Sequence, residues 1–308
     1  RAGRDTGGSV DLVWINGENF KRLKDEGLLY GPWAEQLPNW KYVDTAKPVR
    51  QDFSESTDGL EAPWGEARLT FLADRRKVPS PPESPRQLLD FARAHPGRVT
   101  YPKPPDFHGT TFLKQLLLAL APAPQDLMQP VTQASFARNT PALWAYLDKL
   151  HPLLWRKGTA FPTSAAQMDR MLADGELLLS ITFHPNEVAN LVAKQRLPAT
   201  AYGFGFKNGM IGNVHFLAIP YNSSAKAASQ VVANFMLSPE AQAHKADPKV
   251  WGDTSVLIIP ALLPAQRAAF DERPPSAQDA QVPTLSEPDA SWMGALEKAW
   301  LERYGSGK

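Results

Sequence analysis

Three short polar clusters in this 308-residue chain carry groups able to ligate a small molecule: 16-NGEN-19, 108-HGTT-111 and 184-HPNE-187. Asn16, Glu18 and Asn19 offer two carboxamides and a carboxylate. His108, Thr110 and Thr111 offer an imidazole and two hydroxyls, and His184, Asn186 and Glu187 an imidazole, a carboxamide and a carboxylate. Each cluster ends an apolar run and opens an amphipathic one. In open α/β sheets, ligands bind outside the carboxyl ends of strands, where helix N-termini expose N–H groups. The plainer reading of each cluster is structural: Asn and Thr are N-cap residues, and Pro185 alone forces a turn. Two Asn and a Gly exceed what one cap needs, and the recurrence of the pattern favours binding.

Reactive chemistry has no comparable support. No nucleophile elbow, phosphate-binding loop or dinucleotide fingerprint is present. The glycine-rich 203-GFGFKNG-209 precedes a strand rather than joining strand to helix. Six histidines show no HxxxH spacing and there are no cysteines, so neither a metal nor a cofactor is expected. Among aromatics, Trp64 in 63-PWG-65 can stack on a ligand or fill a core. Tyr202 and Phe204 either contact ligand or pack beside a hinge.

The elements that must position these groups alternate strand and helix. Val10–Ile15 is short, apolar and β-branched, as a buried strand is. A helix over Phe20–Glu26 stops at Gly27. Further strands are expected at Arg68–Ala73, Val99–Tyr101, 176–183 and Val214–Ile219. Helices are expected over 84–98, with Ser84 as cap and Pro85 at the first turn, over 106–120, capped by Thr110 or Thr111, and over 139–150, 163–175, 223–242 and 291–304. The stretch 272-ERPPSAQDAQVPTLSEPD-289 is polar and proline-rich.

Hydrophobic residues make up 43% and charged residues 21% of the chain, ordinary for a globular protein. A net charge of +1 gives no basic footprint for nucleic acid. The most apolar stretch, 112-FLKQLLLALAPA-123, is interrupted by Lys114 and Gln115 and is shorter than the ~18 residues a membrane span needs.

One segment carries a family resemblance. The order of strand, helix and closing motif in 214-VHFLAIPYNSSAKAASQVVANFMLSPEAQ-242 resembles the extracellular solute-binding proteins of ABC transporters. The stretches 60-LEAPWGEARLTFLAD-74, 84-SPRQLLDFARAHPGRVTYPKP-104, 176-ELLLSITFHPNEVANL-191 and 253-DTSVLIIPALL-263 follow in the matching order, and 16-NGEN-19 with 31-GPW-33 is similar to one branch of periplasmic components. The resemblance implies an α/β, two-lobe type II periplasmic binding fold, with lobe 1 at 1–75 and 211–262 and lobe 2 at 76–210 and 263–308. Hinge crossovers fall near 70–78, 205–214 and 258–264. It implies a small polar or charged organic solute held in a cleft between lobes, an ABC permease as partner, and a monomer that is not an enzyme. It also implies periplasmic secretion by a signal peptide outside this chain, and a strand–helix–strand segment ahead of Val10–Ile15 that this chain is expected to lack. An α/β transferase or hydrolase on the same scaffold is the alternative, and an interaction module whose cleft is filled by its own side chains is a third reading.

Overall fold

The apolar run before Asn16 forms a strand, β1 (Val13–Ile15), and the amphipathic run after it a helix, α1 (Glu18–Asp25). Gly27, at φ +63°, ends α1 with the Leu28 N–H returned to the Leu23 carbonyl. A two-strand hairpin follows, β2 (Gln51–Asp52) and β3 (Glu55–Ser56), then the long strand β4 (Glu61–Arg68) and β5 (Thr70–Asp74). Next come α2 (Pro85–Ala94), α3 (Phe107–Leu120), α4 (Gln133–Asn139), α5 (Pro141–Leu150), α6 (Ala165–Ala173), β6 (Ser180–Thr182), α7 (Glu187–Ala193), β7 (Ala201–Phe204) and β8 (Met210–Ala218). The chain finishes with α8 (Lys226–Met236), α9 (Pro239–Ala246), α10 (Pro264–Asp271), β9 (Thr284–Leu285) and α11 (Ser291–Trp300). This computed structural model describes residues 5–15, 17–184, 186–247, 249–271 and 282–305.

The contacts divide the chain into two units, Arg1–Ala67 with Asn213–Pro274 and Arg68–Gly212 with Pro275–Lys308. Unit 1 is built on strands ordered β1-β8-β4, with Trp14 opposite Leu217 in an antiparallel register. Its core gathers Ile15, Phe20, Trp33, Phe216, Ile219 and Leu237. Unit 2 is built on the antiparallel order β6-β5-β7. All five residues of β5 are buried, the apolar Phe71, Leu72 and Ala73 at its centre and the polar Thr70 and Asp74 at its ends. Trp300 of α11 anchors the C-terminal end by donating from Nε1 to the Tyr101 hydroxyl at 2.8 Å, and Tyr101 in turn meets His151 Nε2 at 2.7 Å.

Several expected boundaries move. The helix expected over 223–242 is two helices, because Ser238 caps α9 through the Ala241 N–H and Pro239 occupies its first position. Val99–Tyr101 joins no ladder among the described residues. The strand expected over 176–183 is confined to β6. Neither Thr110 nor Thr111 caps α3. Asp106 does, its Oδ1 accepting from the His108 and Gly109 N–H groups at 2.9 and 3.4 Å. The expected 272–289 stretch lies outside the described residues up to 281.

Gly109 lets the start of α3 close on the loop before it. A Cβ there would stand 2.1 Å from the Pro102 carbonyl oxygen, a backbone atom with no rotamer to escape into. Gly109→Ala is therefore expected to lower unfolding free energy by about 1–3 kcal/mol, the range for inserting a methyl group into a packed site. A urea midpoint unchanged from the wild type would contradict it.

Candidate functional site

Unit 2 brings two of the three clusters together. The stretches 106-DFHGT-110 and 182-TFHPN-186 each place a Phe–His pair at a strand end or helix mouth. The rings of Phe107 and Phe183 meet edge to face at 5.0 Å. His108 lies against Phe107 at 5.5 Å. His184 is half-buried and its N–H donates to Thr182 Oγ1 at 3.1 Å. Asn186 and Glu187, also half-buried, begin α7. Phe107 is 40% exposed, so the group carries an accessible aromatic face beside its polar atoms.

Electrostatics at this group follow from burial. Burial holds the His108 imidazole below its usual range, against the opposing pull of Asp106. Behind Glu187, Asp169 of α6 is buried and accepts from Ser180 Oγ at 2.8 Å. Burial chiefly, with the Glu187 charge adding, raises its carboxyl to about 6, while the Ser180 bond, Arg196 and Arg170 pull the other way. Asn190 Nδ2 approaches Glu187 Oε2 at 3.5 Å.

The two threonines separate. Thr110 is buried and donates from Oγ1 to Glu297 Oε1 of α11 at 2.7 Å, which makes it a structural residue. Thr111 is fully buried and its hydroxyl has no hydrogen-bond partner. Lying four residues from Phe107 and three from His108, it shares their helix face.

In unit 1, Asn16 lies outside the described residues, Glu18 opens α1, and Asn19 is exposed. Between them Gly17, at φ +59°, donates its N–H to Asp52 Oδ2 of β2 at 2.7 Å. A Cβ on Gly17 would meet the Phe53 ring at 2.6 Å, so hairpin and loop interlock. Lys24 ties α1 to the same hairpin through the Ser56 carbonyl at 2.6 Å. Glu61, at the start of β4, is 1% exposed with neither carboxyl oxygen hydrogen-bonded. Burial first, then Asp52, pushes its carboxyl well above the usual range.

Trp64 joins an aromatic cluster on one face of the unit 1 sheet. Its ring lies 5.3 Å from Trp14 and 5.0 Å from Trp251, and His215 lies 4.9 Å from Trp14. Trp14 is 46% exposed. Beneath, the Lys245 ammonium stands 5.3 Å from the Trp64 ring and donates to Asp253 Oδ2 at 2.7 Å. Burial disfavours both charges of that pair, lowering Lys245 and raising Asp253.

Tyr202 and Phe204 are buried in β7. The Tyr202 hydroxyl donates to the Val78 carbonyl at 2.6 Å, and Phe204 stacks on Phe71 at 5.2 Å. Packing accounts for both. Phe107 and Phe183 were not among the candidates from sequence, although the repeated Phe–His dipeptide is a visible signal. Nor were Trp14, Asp52 and Asp169, which nothing local marks.

No group of three or more His, Cys, Asp or Glu side chains suited to a metal exists among the described residues, and no helix of theirs is long and apolar enough to cross a membrane.

Comparison with known proteins places the chain. The family model for bacterial extracellular solute-binding proteins matches residues 2–269. The chain is 57% identical to protein YnjB of Escherichia coli strain K12 over 305 residues, 99% of this chain and 78% of that protein. Among solved structures, the spermidine/putrescine substrate-binding protein PotD of Streptococcus pneumoniae matches with TM-score 0.66 at 15% identity, covering 98% of this chain and 85% of that one. The periplasmic binding protein AfuA of Actinobacillus pleuropneumoniae, solved with fructose-6-phosphate, matches with TM-score 0.61 at 14% identity, covering 99% and 85%. The chain belongs to the bacterial extracellular solute-binding protein family, with the two-lobe α/β fold of periplasmic binding proteins and the role of a solute-binding component of an ABC transporter.

Proposed function

We propose that this chain captures a small polar or charged organic solute at the group formed by Phe107, His108, Phe183, His184, Asn186 and Glu187. In this reading it acts as a periplasmic monomer, passes the solute to a membrane permease, and performs no chemistry on it. One observation carries the reading: two clusters far apart in sequence, 106–110 at the start of α3 and 182–186 at the end of β6, meet through Phe107 and Phe183 at 5.0 Å. That meeting joins an exposed aromatic ring beside His108 to the segment that carries His184, Asn186 and Glu187, the mixture of apolar lining and few polar groups that small-molecule sites use. In unit 1, Trp14 and Trp64 supply an aromatic face of the same kind. The solved structure named for spermidine and putrescine, and the one bound to fructose-6-phosphate, support a small polar solute.

Glu187→Gln tests the site. It is expected to weaken solute binding, read by calorimetry, by more than tenfold. Because Glu187 is half-buried with one weak partner, unfolding of the free protein should change by no more than about 0.5 kcal/mol. Unchanged affinity would move the site elsewhere. A solute recovered chemically unchanged after long incubation is the further expectation; turnover would favour an enzyme.

A further inference from the structure

The sign of the solute's charge can be read from what already occupies the helix mouths. Each helix that follows one of the three clusters carries a carboxylate of this chain at its start. Asp52 accepts the Gly17 N–H at α1, at 2.7 Å. Asp106 accepts the His108 and Gly109 N–H groups at α3. Glu187 is itself the first residue of α7. An anionic solute needs these N–H groups and the positive end of the helix, and would meet a fixed carboxylate at every one.

The other groups point the same way. Burial keeps His108 from supplying a compensating positive charge at neutral pH. Asp169, the next acid inward, lies close enough to feel the Glu187 charge, and the nearby cations Arg196 and Arg170 act on Asp169 itself. Phe107, 40% exposed and set edge to face with Phe183, offers an accessible ring, and the negative face of a ring attracts cations. The unit 1 cluster already accommodates one cation in this manner, the Lys245 ammonium 5.3 Å from Trp64.

A second kind of observation comes from Thr111. Its hydroxyl is fully buried, has no partner, and belongs to the helix face of Phe107 and His108. A buried hydroxyl without a partner costs free energy until a ligand or water supplies one, and its oxygen can accept from an ammonium N–H.

We infer that the solute is an organic cation, its positive group directed to Glu187 and the Thr111 hydroxyl and its apolar body laid on Phe107. This rests on the solute site proposed above and assigns its chemical class.

The test uses the full chain and a bacterial metabolite extract below about 1 kDa, far smaller than any folded domain, divided by ion exchange into a cation-retained and an anion-retained pool. Thermal unfolding and native mass spectrometry follow binding from each. The cationic pool is expected to raise the melting temperature and leave a small-molecule adduct, and the anionic pool to do neither. The adduct should be lost from Glu187→Gln and bound at least fivefold more weakly by Thr111→Val. Capture from the anionic pool alone would overturn the charge assignment while leaving the solute-binding site standing. Capture from neither pool would overturn both.

Discussion

Lys114→Met is expected to destabilise the protein by about 3–5 kcal/mol, the cost of removing one partner from a buried ion pair. Lys114 on α3 and Glu287, just after β9, are 2% and 1% exposed, and the Lys114 ammonium donates to Glu287 Oε2. Glu287 Oε1 has no hydrogen-bond partner, so the carboxylate depends on this cation for compensation. With Met in place of Lys, a buried negative charge remains in an apolar setting. The double variant Lys114→Met, Glu287→Gln removes that charge and should recover most of the loss, because a buried pair as a whole stands near break-even against uncharged residues. Urea unfolding of the three proteins measures this. A single variant within about 1 kcal/mol of wild type, the range of an exposed pair, would show that the pair is solvated.

The second large effect is a pH dependence. Asp169 has a folded pKa of about 6 against 3.8 for a free carboxyl. A raised acid binds its proton more tightly when folded, so its stabilising contribution is complete below about 3.8 and is lost as pH rises to about 6. A difference of that size between the folded and unfolded chain corresponds to about 3 kcal/mol. Asp169→Asn keeps an oxygen to accept from Ser180 but cannot ionise. Its stability relative to wild type should rise through that window and level off above it. Glu61 and Asp253, raised in the same direction, are present in both proteins, so the difference isolates Asp169. Parallel stability profiles from pH 4 to pH 7 would contradict the assignment.

How much of this was legible in the sequence depends on whether the deciding contact is local. The Ser84 cap, accepting from the N–H three residues on, was readable, because a cap and its helix are contiguous. So was the stop at Gly27, whose left-handed φ only glycine takes at no cost. The break between α8 and α9 was equally local, with a Ser cap and a Pro at the first position, but the amphipathic pattern ran past it. At α3 the threonines drew attention from Asp106, which sits directly before the helix and caps better. Side-chain type alone could not separate Tyr202 and Phe204 from ligand-stacking rings. Strand β7 is buried throughout, and a doubly buried strand shows no alternation to mark an outward face. Asp52 lies 35 residues from the Gly17 N–H it accepts, and no local pattern announces such a bond. Of the candidate site, the polar clusters at helix starts were legible as a recurring theme, Glu187 among them. What was not is that Asp52 and Asp106 accept the N–H groups at the starts of α1 and α3.

The most direct measurement of the central claim is native mass spectrometry of the protein purified from cells, beside its Glu187→Gln variant, each repeated after denaturation. The account predicts a small added mass on the wild type that disappears on denaturing and is absent from the variant. The same adduct on both proteins, or no adduct on either after exposure to the metabolite extract, would contradict it.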